Sequence, residues 1–117
     1  MSILLALPVA ALLTATAGTA PAYAANGNFV FENSASRTGE MLNPPSGRCI
    51  KFPYPVIRVT NATNQKAHLF QDATCSTKEI AAVAADPGTG RGTAWSKPDG
   101  IPAALAVKFD CNLVACS

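Results

Sequence analysis

The side chains of this 117-residue chain that could do chemistry are few and scattered. His68 is the one histidine, and so the one imidazole that could act as a general base. It lies in Lys66–Gln71, on the same strand face as Phe70, and no G-x-S-x-G nucleophile elbow accompanies it. The competing reading is a surface or edge-strand histidine. The seven carboxylates are Glu32, Glu40, Asp72, Glu79, Asp86, Asp99 and Asp110. Two of them could form the acid pair of a glycosidase only if the fold brings them together. Against nine basic residues they read first as solvated surface charge. No catalytic residue, metal site or cofactor is assigned on this pattern.

The four cysteines, Cys49, Cys75, Cys111 and Cys116, have no C-x-x-C spacing, and one histidine cannot complete a zinc site. They read instead as two disulfides with three connectivities open, of which Cys49–Cys75 with Cys111–Cys116 is favoured. The first would close a loop of about 27 residues, worth about 3.5 kcal/mol in the chain-entropy description. The second would pin the C-terminal tail. Oxidation of all four leaves no thiolate for catalysis.

Asp86-Pro87-Gly88-Thr89-Gly90-Arg91-Gly92 is the glycine-rich loop, and it lacks the Lys-Ser/Thr end of a phosphate-binding loop. A flexible connection is the expectation there. Arg91 and Trp95 are of the types that anchor interfaces and are the candidate partner-binding residues. Trp95 also suits the core of a small sandwich, given the high average burial of tryptophan. Asn61-Ala62-Thr63 matches an N-glycosylation sequon.

Short runs with a period of two must position these residues. They are Asn28–Asn33, Arg48–Phe52, Val56–Asn61, Lys66–Gln71 and Ala104–Asp110. Phe29 and Phe31 fall on one face of the first run, Ile57 and Val59 on one face of the third, and Leu105, Val107 and Phe109 on one face of the last. Turn chemistry punctuates them at 43–47, Pro53-Tyr54-Pro55, Asp86-Pro87-Gly88 and 97–100. This spacing argues for an all-β, antiparallel sandwich or small barrel stabilised by disulfides. The alanine-rich stretch 78–85 is open between a strand and a single helical turn, because Ile80 and Val83 are three residues apart. Phe29–Ser36 can also be laid over Ile57–Asn64, with Met41-Leu42 then falling on Leu69-Phe70. That echo suits either a duplicated motif or two ordinary hairpins.

Hydrophobicity is concentrated at one end: 17 of the first 24 residues are apolar, against 40 of the other 93. Ile3–Leu13 is too short to span a membrane, and Ala22-Tyr23-Ala24 fits signal-peptidase cleavage, so residues 1–24 are expected to be an export signal. Residues 25–117 are then one β domain, secreted and extracellular, with no membrane attachment after cleavage. A net charge of +2 gives no case for nucleic acid.

The stretch Val56 to Gly88 resembles one motif of the small secreted βγ-crystallin-like proteins of actinobacteria, which include proteinase-inhibitor-like and killer-toxin-like members. It runs strand, Asn61–Asn64 turn, Ala67–Gln71 strand, Asp72-Ala73-Thr74-Cys75, then Pro87-Gly88; Ala104–Phe109 resembles the last strand. The match covers about half of the mature chain. It implies two Greek-key motifs in one sandwich. The family's calcium signature is met only in part at Asp72–Thr77, where Ala73 replaces a ligand, and fails at the end of Glu32–Arg37. The leading functional expectation is a non-enzymatic, monomeric secreted module, inhibitor-like or toxin-like, that binds an extracellular protein or cell-surface partner. A small secreted hydrolase using a carboxylate pair or His68, and a structural protein of the cell exterior, are the alternatives.

Overall fold

The structure, a computed structural model, describes residues 24–111. The expected export signal therefore lies outside the described residues but for Ala24, as does the Cys116 end of the second disulfide. Eight strands form, and no helix occurs among the described residues. They are β1 (Gly27–Glu32), β2 (Thr38–Leu42), β3 (Cys49–Val56), β4 (Arg58–Thr63), β5 (Ala67–Phe70), β6 (Glu79–Val83), β7 (Thr93–Ser96) and β8 (Ala104–Phe109). One sheet has the order β2-β1-β4-β7, the other β3-β8-β5-β6, and every pairing is antiparallel. The third strand of each run of four thus crosses to the opposite sheet: β3 joins β5, β6 and β8, while β7 joins β1, β2 and β4.

Alternation explains the best-formed strands. Phe29 and Phe31 of β1 point inward with Val59 of β4, and Val107 and Phe109 of β8 meet them from the other sheet. Aromatic contacts join the layers. Phe29 lies edge-on to Phe109 at 5.1 Å and stacks on Phe52 of β3 at 6.3 Å. Phe31 lies 5.0 Å from Phe52. Gly39 on β2 faces Phe31 directly, and a Cβ there would sit 2.6 Å from its ring. That vacancy lets the ring lie flat on β2.

Some segments depart from the sequence reading, and one that it left open is settled. Pro53-Tyr54-Pro55 is not a turn but part of β3, which is an edge strand whose pairing with β8 breaks between Lys51 and Val56. Prolines lack the N–H that an interior strand needs, and an edge tolerates them. The open segment 78–85 contains a strand, β6. Its register shifts opposite Leu69 and Phe70, so that Ile80 is the extra residue of a β-bulge. The bulge puts Ile80 and Val83 against the same core although they are three apart. Strands β2 and β7, short and rich in Thr, Gly and Ser, carry no clear alternation signal. The internal echo lays β1 over β4, but those two are sheet neighbours, and β5 is the strand that takes the place of β1 in the opposite sheet.

At one end of the sandwich a polar cluster is buried. The Asn61 side chain is fully enclosed, and its Nδ2 contacts the carbonyls of Gln65 (2.9 Å), Ala84 (3.0 Å) and Val83 (3.2 Å). Its Oδ1 accepts from the Thr63 hydroxyl (2.7 Å) and amide (3.1 Å). One amide thereby ties the β4–β5 link to the end of β6. Asn61→Ala should destabilise the fold by about 1–3 kcal/mol, the cost of leaving buried carbonyls unpaired, measured by denaturant unfolding.

Candidate functional site

His68 sits on β5, between β8 and β6, so it belongs to an interior strand and not to an edge. Its neighbours Ala67 and Leu69 are buried, which turns the imidazole to the outer face, opposite Lys108 and Ala82. Here the fold does bring two carboxylates together. His68 Nδ1 lies 2.7 Å from Glu79 Oε1, and Nε2 lies 2.6 Å from Asp110 Oδ1. Glu79 opens β6, and Asp110 follows β8 with its N–H donating to the Lys66 carbonyl. Ionised carboxylates only accept, so both contacts are satisfied when both ring nitrogens carry protons. Each ring nitrogen thus faces a carboxylate. The arrangement ties β6, β5 and the end of β8 across the sheet surface.

Two loops are held by single carboxylates. In the β5–β6 connection, Asp72 Oδ2 accepts from the Thr74 hydroxyl (2.6 Å), the Ser76 N–H (2.9 Å) and the Thr74 N–H (3.2 Å). Its Oδ1 accepts from the Thr77 hydroxyl (2.5 Å) and N–H (3.2 Å). These donors, the Thr74 hydroxyl foremost, hold the Asp72 carboxyl well below the usual carboxylate range. The oxygens expected to be calcium-ligand remnants are therefore occupied by their own turn. In the β6–β7 connection, Asp86 accepts from the N–H groups of Gly90 (2.9 Å) and Gly92 (3.1 Å) and from the Thr89 hydroxyl (2.9 Å). The Gly90 N–H contributes most to lowering its carboxyl, against an opposing effect of partial desolvation. Asn33 does the same in the β1–β2 turn, taking the N–H groups of Ala35 and Arg37 at 2.9 Å each. The signal for all three was present in the sequence: Asn or Asp followed within a few residues by Ser, Thr or Gly.

The Cys49–Cys75 disulfide forms as favoured. Cys49 lies level with Lys108 and His68, whereas Cys75 is five residues beyond Phe70 at the far end of β5. The 71–78 loop must therefore fold back over the outer face of its sheet to close the bond. No cysteine among the described residues is free.

The candidate anchors are not brought together on one exposed face. Arg91 is exposed in the Asp86 loop. Trp95 aligns with Val59 and Phe31 across three strands and packs against the core, half-buried because β7 is an edge. Asn61 of the sequon is enclosed, with its Nδ2 committed to backbone carbonyls, so the folded chain offers no acceptor amide there. On the outer face of the first sheet a shallow groove of about 120 Å³ runs past Val30, Thr60, Ala94 and the Glu32–Arg58 ion pair (3.5 Å).

Both lowered carboxyls give stability that is complete above the unfolded value near pH 4 and is lost as the pH falls through their folded values. The gap in thermal midpoint between the native chain and Asp72→Ala should hold from neutral pH to about pH 4 and close below it. Melting curves across that range test this, and Asp86→Ala should behave alike. His68→Ala should cost about 1–2 kcal/mol, two contacts to carboxylates discounted for partial exposure. Glu79→Gln should lose most of its own effect in the His68→Ala background, which a double-mutant cycle reads directly.

Comparison with protein-family models, curated proteins and solved structures finds no match to this chain.

Proposed function

We propose that this chain is a secreted, non-enzymatic binding module with two Greek-key motifs in a βγ-crystallin-like sandwich. The strand order supports the fold half of that reading. In each sheet the first strand of a run lies between the second and the fourth, and the third strand is lent to the other sheet. A disulfide suits an exported protein.

The observation that carries the binding half is the Asp86 loop. Its carboxylate gathers Gly90, Gly92 and Thr89, while Gly88, Gly90 and Gly92 all take positive φ and Arg91 stands exposed. A loop that holds its own shape loses little entropy on docking. The partner is an extracellular protein or a cell-surface ligand. A hydrolase is the second reading, favoured only by the meeting of Glu79 and Asp110 at His68. Those carboxylates occupy opposite nitrogens of one ring, which suits a tie better than a catalytic base.

Pull-down from extracellular fractions with residues 25–117 should yield a competable partner. Arg91→Ala should weaken it about tenfold or more, since truncating an anchoring arginine costs about 2 kcal/mol. Failure to capture any partner across proteases and wall polymers overturns the binding reading. So does a hydrolytic activity that His68→Ala abolishes.

A further inference from the structure

Two places in this chain put a glycine directly after an Asn or Asp: Asn26-Gly27 and Asp99-Gly100. At such a pair the glycine backbone nitrogen can attack the side-chain carbonyl carbon and close a five-membered succinimide. Asn expels ammonia in that step, and Asp expels water. Water then reopens the ring at either carbonyl, giving aspartate or isoaspartate. An ionised carboxylate is the poorer electrophile, so in an unfolded chain the Asn-Gly pair reacts first.

The fold reverses that order. Gly27 N–H donates to Asn43 Oδ1 at 2.9 Å, and its carbonyl accepts from Asn43 N–H at 2.8 Å. Asn26 is held on both sides by Asn64, through its N–H to Asn64 Oδ1 (2.8 Å) and its carbonyl to Asn64 N–H (3.0 Å). Gly27 has φ 123°, and a Cβ there would lie 2.2 Å from the Ala62 carbonyl oxygen. Ring closure would have to strip these bonds and rotate the chain where there is no space, so it waits for local opening.

Asp99 and Gly100 stand in the opposite situation. Both are exposed in the β7–β8 connection, and nothing lies within 4 Å of a Cβ built on Gly100. A single turn bond, Ile101 N–H to the Pro98 carbonyl at 3.2 Å, spans them. We infer that Asp99 is a self-modification site of the folded protein, converting to isoaspartate with water as the only co-reactant, while Asn26 is kept intact by its strand-end clasp. Each event adds one atom to the main chain of the loop that carries the partly exposed Ile101.

Prolonged incubation of the native protein at neutral pH, with peptide mapping and labelling by an isoaspartyl methyltransferase, tests this. Label should accumulate in the peptide containing Asp99 while the Asn26 peptide keeps its mass. In denaturant with the disulfides reduced, the order should reverse. An Asp99→Asn variant should deamidate in the native state faster than Asn26. Conversion at Asn26 equal to or above that at position 99 in the folded protein overturns the inference. So does an Asp99→Asn variant that is inert when folded but reactive when unfolded.

Discussion

Everything at one end of the sandwich depends on a single enclosed amide. The link from β4 to β5 and the exit of β6 run beside each other there, and their carbonyls turn toward one buried side chain. Asn61 supplies the only kind of group that meets the need: donors on one atom for Gln65, Val83 and Ala84, and an acceptor on the other for Thr63. An apolar residue at that position would pack, but it would strand the carbonyls at about 1–3 kcal/mol. A charged one would bury a charge. The side chain is thus fixed by polarity and by shape together.

The same economy governs the surface. Asp72 and Asp86 serve their own loops, Glu79 and Asp110 serve His68, and Glu32 meets Arg58. Charged groups that the sequence offers as candidates for catalysis are mostly spent on holding chain segments in place. What remains is a sandwich whose loops are shaped by their own hydrogen bonds, the feature on which the proposed binding role rests.

Alternation made β1 and β4 legible, because each buries one clean face: Phe29 with Phe31, and Val59 with Asn61 and Thr63; β8 buries Ala104 and Ala106 as well as Val107 and Phe109, and its apolar run marked it as a strand all the same. Alternation failed where local chemistry overrode the period. The bulge at Ile80 mimicked helical spacing, and the edge position of β3 admitted Pro53 and Pro55, which read as a turn. Gly39 hid β2 because the ring filling its place belongs to Phe31 on the next strand. For the site, the Cys49–Cys75 link was the favoured one of three connectivities that the cysteine count leaves open. The meeting of His68, Glu79 and Asp110 was not legible, since their sequence positions span 42 residues and only the sheet order joins them.

The exchange of β3 and β7 between sheets also bears on how the molecule reaches its fold. Neither half of the chain can complete a sheet from its own strands, and β3 must wait for β8, the last of the described strands in chain order. Non-local pairings of this kind place all-β domains among the slower folders, in milliseconds to seconds. Until β8 is in place, β3 lacks its one strand neighbour in the sheet. Pro53 and Pro55 leave gaps in its row of donors, so another chain in the same state finds a poor template for pairing. The prolines that interrupt the native ladder thus guard the chain against aggregation before the ladder exists.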